Sequence, residues 1–405
     1  MLSVGVVGGG TAGVEAAKEA SRDGAQVTVL EMSPEPEPPW KHWPDLFLRR
    51  HSIVASPLPR VPRNAAVINV EVKAIEGRRI VRSDGRPMRF DAVIAATGSI
   101  FKSTSLRGQR KPGVHLLSSA QAYSDLGRRR DFERPLVTGE GFLALRVADF
   151  LAGEGREAQT VVTKWRNGAP SPDTYDVLER CAEERGVSIT RGLVTRAVGL
   201  ESVEAVTVAG RVFPVDSLVI LPDRIPRVVP SGARLGVSGG FSVDERLRTS
   251  SVSFFAVGGC AEFQTARSPP RIFDEEPKMT GRIAGANSVG HTLTVSPSSL
   301  MEVRLFGLRW SFSTALANDE FVPPASKGMV TRRWGPESAC TITYERRSGK
   351  VLRVERVEPV GDSHVEMPAL GAAGTSLHSL AFGDSSDISL VSDTARLGLR
   401  LWSNS

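Results

Sequence analysis

The chain is poor in cysteine, in lysine and in long apolar runs. Cys181, Cys260 and Cys340 are its only cysteines in 405 residues. They stand far apart, with no CxxC and no metal-ligand spacing, so no metal site is expected. A sparse, odd set excludes a disulfide-stapled secreted scaffold and fits a reducing compartment. No apolar run approaches the ~18 residues that a membrane-spanning helix requires, so no transmembrane segment is expected. The chain opens directly on an apolar strand, so a cytoplasmic protein without a signal peptide is expected. Only nine of the 51 cations are lysine; arginine supplies the rest, for a net charge of +6. These cations are scattered apart from short runs such as Arg128–Arg130. Scattered basicity does not mark a nucleic-acid surface, so nucleic acid is not an expected partner. The mild positive field can still attract anionic cofactors. Hydrophobic residues make up 40% and charged residues 24%, a globular balance. At this length, two or three domains are expected.

What is plentiful is glycine, and it is placed. Residues 4–31 read VGVVGGGTAGVEAAKEASRDGAQVTVLE. An apolar run ends in Gly8-Gly9-Gly10-Thr11-Ala12-Gly13, a helical stretch follows, and a second apolar run closes on Glu31. This is the strand, glycine turn, helix, strand and acid of a dinucleotide-binding unit. Gly8 permits the tight turn, Gly10 lets the backbone approach a pyrophosphate, and Gly13 lets helix pack on strand. The amides and dipole of the helix start favour the phosphates. Glu31 stands where a carboxylate can accept ribose hydroxyls.

Further along, residues 32–64 are Pro-rich and predict a loop leading into a short helix. Short strands are expected at Ala66–Val72, Arg79–Ser83 and Phe90–Ala96, the last ending in Thr97-Gly98-Ser99. A second unit starts at Leu136: Gly139-Glu140-Gly141-Phe142-Leu143-Ala144 gives GxGxxA, followed by a helix to Gly153 and a strand at Thr160–Thr163. A helix is expected over Tyr175–Glu184, and strands at Val187–Thr190, Ala205–Val208 and Val215–Leu221. A strand at Phe254–Val257 runs into Gly258-Gly259, and Lys278–Gly290 reads as a helix. After about residue 300, Thr341–Tyr344 and Val351–Val357 suggest antiparallel strands, and Leu377–Leu401 mixed helix and loop.

Two GxGxx(G/A) units, an ATG turn between them and an AVGG turn after the second resemble the flavin-dependent pyridine nucleotide-disulfide oxidoreductases. Phe306-Gly307-Leu308 with Ser313-Thr314, then Tyr344–Val351, then Leu380-Ala381-Phe382, resemble the dimerisation domain of one branch. That branch holds NADH oxidases, NADH peroxidases and coenzyme A-disulfide reductases. The resemblance implies an α/β fold with two Rossmann-like dinucleotide-binding domains and an α+β C-terminal dimerisation domain. It implies an FAD-binding domain in two segments, 1–110 and 229–298, an NAD(P)H-binding domain over 111–228, and a dimerisation domain over 299–405. FAD would meet Gly8, Gly9, Gly10, Thr11, Ala12 and Gly13 at the pyrophosphate, and Glu31 and Met32 at the ribose. Val72 would offer a backbone contact to adenine. Ala96, Thr97 and Gly98 would close over the cofactor, and Gly258-Gly259 would return to the flavin. Gly139, Gly141, Ala144 and Lys164 would hold NAD(P)H, the co-substrate that the resemblance implies, and a homodimer is implied.

Three departures from that branch bear on function. Its redox cysteine, about a dozen residues after the ribose acid, is missing: no cysteine lies between residues 32 and 180. His42 sits near that place and cannot form a sulfenic acid or a mixed disulfide. Thr11 replaces a histidine of the oxidase and peroxidase members. Gly259 replaces an Asp that holds a ribityl hydroxyl, at a cost of roughly 1–3 kcal/mol in FAD binding. The second unit also ends its strand in Lys164-Trp165-Arg166 instead of an acid. Those cations read either as partners for a 2′-phosphate or as the basic surface of a decayed pocket.

Other residues carry two readings each. His42, between Trp40 and Trp43, reads as an acid/base group or as loop packing. Cys260 reads as a thiol near the cofactor or as a small packing residue. Asp384 and Asp387 read as an acid/base pair or as a polar turn. Glu15 and Lys18 read as solvated, or with Glu15 facing the ribose side of a flavin. The function expected is NAD(P)H oxidation through FAD, with electrons leaving the flavin directly to oxygen, a quinone or a carrier protein. The alternatives are a degenerate nucleotide-binding homologue with a structural or regulatory role, and a peripheral membrane quinone reductase, whose C-terminal amphipathic anchor is not evident.

Overall fold

The structure is a computed structural model, and it describes residues 1–33, 43–44, 48, 60–102, 106–165, 169–265, 268–272, 277–295, 298–315, 324–359 and 394–396. Five α-helices of nine residues or more lie among these: α1 (Thr11–Arg22), α2 (Ala120–Arg128), α3 (Gly141–Gly153), α4 (Pro172–Glu184) and α5 (Pro277–Ser288). The chain divides into two compact units.

The first unit comprises Met1–Trp43, Ser52–Lys102 and Arg224–Ser296. Its core is a parallel sheet in the order Phe254–Ala256, Ala92–Ala95, Ser3–Val7, Gln26–Glu31, Ala66–Asn69. These strands are apolar on both faces: Val4, Val6, Val27, Val29, Val93 and Ile94 are all fully or almost fully buried. Such runs suit a parallel sheet covered on both sides. The chain leaves Ser3–Val7 through α1 to one neighbour and later places Ala92–Ala95 on the other side. The glycine turn therefore lies where the strand order reverses, the place at which open α/β sheets bind ligands. Helix α5 packs on α1 through glycine: a Cβ on Gly281 would lie 2.3 Å from the Ala12 carbonyl oxygen, and one on Gly285 2.5 Å from that of Ala16. The single strand expected over Ala66–Val72 is two. Ala66–Asn69 extends the parallel sheet, and Val72–Glu76 opens a separate antiparallel sheet with Arg79–Arg82 and Pro87–Arg89.

The second unit comprises Pro44–His51, Ser103–Asp223 and Pro297–Ser405. It holds a second parallel sheet, ordered Ser188–Arg191, Gln159–Lys164, Pro135–Glu140, Ser217–Ile220, Val114–Leu116. Two of its elements leave little trace in the sequence, the three-residue strand Val114–Leu116 and the short α2, which Ser119 Oγ caps by accepting from the Ala122 amide at 3.2 Å. The same unit contains a five-stranded antiparallel sheet, ordered Ser298–Leu305, Leu308–Ala315, Val351–Pro359, Ser338–Glu345, Lys327–Gly335. Its first hairpin turns on Phe306 and Gly307, both with positive φ (54° and 78°), as a tight two-residue turn demands.

Four large apolar residues of this sheet, which a dimer interface could have used, are buried within the chain. Phe306, Leu308, Trp310 and Phe312 are each 5% exposed or less within the single chain. Phe142, at the start of α3, packs on Phe312 with ring centroids 4.9 Å apart, and the indole of Trp310 donates to Leu305 O at 3.1 Å. These residues serve the core of their own unit. Leu380, Phe382 and nearly all of the Leu377–Leu401 segment lie outside the described residues, as do Asp384 and Asp387.

Candidate functional site: two glycine turns

The first turn is built by close approach. Gly8 has φ +109°, and a Cβ there would lie 2.3 Å from the carbonyl oxygen of Ala96. A Cβ on Gly13 would lie 1.9 Å from Gly8 O, so only glycine lets α1 sit down on its strand. The Glu31 carboxylate reaches back over the turn. It accepts the amide of Gly9 through Oε2 and that of Ser33 through Oε1 at 2.8 Å. Gly10 differs from its neighbours: a Cβ there would meet nothing within 4 Å. It is also the N-cap of α1 and offers no side chain to the first-turn amides. An open space above uncapped amides fits a pyrophosphate, and Glu31 keeps lone pairs for ribose hydroxyls. The residues present therefore fit a dinucleotide at this turn. Met32 is exposed, and its sulfur accepts from Arg227 Nη2 at 3.2 Å. Val72 is buried at the start of its strand.

Around this turn, Gly98 has φ +72° with open space beside it. Gly98 O accepts the Arg227 amide at 2.9 Å, and Thr97 Oγ1 donates to Arg227 O. Gly258, with φ +63°, donates its amide to Thr280 Oγ1 at 3.2 Å. A Cβ on Gly259 would lie 2.9 Å from Ser99 Oγ. Sequence reasoning missed what stands next to it. The Arg224 guanidinium donates from Nε to Ser99 Oγ at 2.9 Å and from Nη2 to Ser99 O at 3.1 Å, and lies 4.9 Å from the Phe101 ring. A cation thus stands beside the position where the related branch carries an Asp. Only the pairing of Ser99–Phe101 with Arg224–Pro226, distant in sequence, brings it there.

Glu15 is not solvated. It is 9% exposed and pairs with Lys18 at 2.8 Å and Arg282 of α5 at 2.9 Å. Burial acts to raise its pKa, but the hydrogen bonds from Lys18 and Arg282 outweigh it and hold the carboxyl below its ordinary value. Cys260 is completely buried and contacts Ala95 O and Val257 O at 3.4 and 3.3 Å. Burial pushes its thiol pKa up, which disfavours the reactive thiolate and supports the packing reading. His42 lies outside the described residues.

The second turn has the same topology and different surroundings. A Cβ on Gly139 would lie 2.7 Å from the Cβ of Leu221. Ala144 is fully buried on α3. Gly141, the counterpart of Gly10, is not open: a Cβ there would lie 2.7 Å from Cε3 of Trp165. Trp165 in turn contacts Phe142 edge-on at 5.0 Å. Lys164 is committed to Asp223 at 2.9 Å. As arranged, the indole fills the space beside Gly141 that a pyrophosphate would need. The clue in the sequence was a tryptophan directly after the strand.

Residues 2–280 match the pyridine nucleotide-disulphide oxidoreductase family, and the chain belongs to that family. It is an oxidoreductase of the kind that uses FAD and NAD(P)H. Among curated relatives, it is 27% identical to rubredoxin-NAD(+) reductase of Pseudomonas putida, over 64% of this chain and 72% of that one. It is 25% identical to a probable ferredoxin reductase of Castellaniella defragrans, over 78% and 76%. In fold it is similar to the NADH-bound water-forming NADH oxidase from Lactobacillus brevis, with a TM-score of 0.81 and 15% identity over all of this chain and 99% of that one.

Proposed function

We propose that this chain passes electrons from NAD(P)H through FAD directly to a small electron-carrier protein of the rubredoxin or ferredoxin type, with no thiol relay. The observation that carries this reading is the cysteine inventory. No cysteine lies between residues 32 and 180, and all three that exist are buried and free. The names of the curated relatives point to the same kind of acceptor.

In this reading, Gly8–Gly13 and the first amides of α1 bind the FAD pyrophosphate, and Glu31 orients the adenosine ribose. Ala96, Thr97 and Gly98 line its path, and Gly258-Gly259 lie on the flavin side. Bound there, FAD supplies the exchange between two-electron and one-electron chemistry. Arg224, fixed by Ser99, places positive charge beside Gly259, where it favours an anionic cofactor. Gly139, Gly141, Ala144 and Lys164 form the nicotinamide unit. Three buried, unpaired cysteines accord with a cytoplasmic setting, and among the described residues no helix is long and apolar enough to cross a membrane. A homodimer rests on the resemblance of residues 300–400 alone, and light scattering at micromolar concentration tests it.

The deciding experiment is anaerobic titration of the yellow holoprotein with NADH and with NADPH, followed by addition of oxidised rubredoxin or ferredoxin. Flavin bleaching and then carrier reduction is the expected result. Reoxidation by oxygen or a quinone but by neither carrier would move the acceptor. A flavin that neither nucleotide bleaches would leave the degenerate homologue, a reading that the closed second cradle favours.

A further inference from the structure

The two glycine turns differ most tellingly in what stands beside the second glycine of each. In a βαβ dinucleotide unit the second glycine stays bare so that the backbone can approach the pyrophosphate. The space above Gly10 is empty, whereas the space above Gly141 is filled by the benzenoid edge of Trp165, 2.7 and 3.2 Å from an ideal Cβ at its Cε3 and Cζ3. The indole is wedged there by neighbouring rings. Phe142 meets it edge-on with centroids 5.0 Å apart and an interplanar angle of 69°, and Tyr175 stands at 6.5 Å and 84°. Phe142 is anchored in turn on Phe312.

This seat is imperfect. The indole nitrogen Nε1 of Trp165 is buried and has no hydrogen-bond acceptor among the described residues. A buried donor without a partner is less stable than one hydrogen-bonded to water. Trp165 thus gains ring contacts inside the cradle and loses a hydrogen bond that it would recover outside. Its neighbour Lys164 is tethered to Asp223, which fixes the strand end from which the indole projects. A side chain held by packing alone, at the mouth of a glycine turn, can be displaced by a ligand that supplies stronger contacts to the helix amides.

We propose that Trp165 is a displaceable plug in the pyrophosphate cradle, so that a nicotinamide dinucleotide binds only by expelling the indole. The proposal rests on the reading that the second glycine unit receives NAD(P)H. Binding then carries the cost of opening: if the open form is 1–10% populated, apparent affinity falls by about ten- to a hundredfold.

ADP-ribose is the probe, because it carries the pyrophosphate and cannot reduce the flavin. Calorimetry on the holoprotein is expected to show Trp165→Ala binding ADP-ribose about ten- to a hundredfold more tightly than the wild type. Equal or weaker binding by a folded, yellow Trp165→Ala protein overturns the proposal. A second measurement needs only the wild type, with the Trp165 indole N–H resonance identified by its loss in Trp165→Phe. It is expected to be protected from solvent exchange in the free protein and to become exchangeable when ADP-ribose binds. Continued protection in the bound state overturns the proposal even if Trp165→Ala does not fold. Failure of both proteins to bind ADP-ribose would instead remove the nicotinamide reading of this unit, and the proposal with it.

Discussion

Glu355, on the C-terminal sheet, caps helix α4 through Ser171, its N-cap residue. The carboxylate accepts the Ser171 amide at 2.9 Å and its hydroxyl at 2.7 Å, and forms an ion pair with the Arg353 guanidinium, whose Nε lies 2.8 Å away. Glu355 is 1% exposed and Arg353 6%. A carboxylate at a helix N-terminus offsets the helix dipole. Here it also fastens the antiparallel sheet to the second parallel-sheet domain. Replacing Glu355 with Ala should leave the buried Arg353 guanidinium without its counter-charge and the Ser171 amide without its acceptor, while Arg353 Nη1 keeps Ala169 O at 2.7 Å and the Ser171 hydroxyl keeps Thr174, at a cost of about 3–5 kcal/mol. Thermal unfolding should show a drop of several degrees, and an unchanged midpoint would show that the network contributes nothing net.

Gly10→Val should strip the flavin. The wild-type position is open on its outer side, so the substitution is compatible with folding and fills the room that a pyrophosphate needs. A folded Gly10→Val protein with little absorbance near the flavin band is expected. Full flavin occupancy would remove FAD from this turn.

Glu15 makes stability depend on acid. Its folded pKa is depressed, so its pairing contributes above the ordinary carboxylate pKa of about 4.5 and is lost as pH falls through the lower folded value. Lys18 and Arg282 are both more than one-third exposed, so the contribution is no more than about 1 kcal/mol. Glu15→Gln should be less stable than the wild type in urea at pH 7, and the gap should narrow as pH falls below the ordinary carboxylate value and close below the folded pKa. A difference that persisted in acid would mean the loss comes from packing and not from charge.

The thiols should be silent. Burial raises the pKa of Cys181 and Cys260 and pushes that of Cys340 up to about 12. The native protein should not react with a disulfide reagent at pH 8, and three equivalents should react after unfolding. Rapid modification of one native thiol, with loss of electron transfer, would reinstate a cysteine in the chemistry.

Much of the architecture was legible because it rests on local rules. The GGGTAG turn needs positive φ and missing side chains at particular positions, and both parallel sheets announce themselves as runs of buried β-branched residues. The chain alone therefore determined two GxGxx(G/A) turns, a family, and the lack of a cysteine where the related branch carries its redox thiol. It did not reveal the three-residue strand Val114–Leu116, too short to carry a period, or the burial of Glu15 by a helix some 270 positions away. Nor did it reveal that Phe306, Leu308, Trp310 and Phe312 are consumed by their own unit, since apolar spacing reports that a face is covered and not what covers it. The sharpest case is the pair Gly10 and Gly141. Both glycines occupy the same place in the same motif, yet one faces open space and the other an indole. Motif spacing places a glycine turn between strand and helix, whereas its local dihedrals (φ −69° at Gly10, +27° at Gly141) and the occupant of the space beside it are chosen by contacts that only tertiary packing brings together.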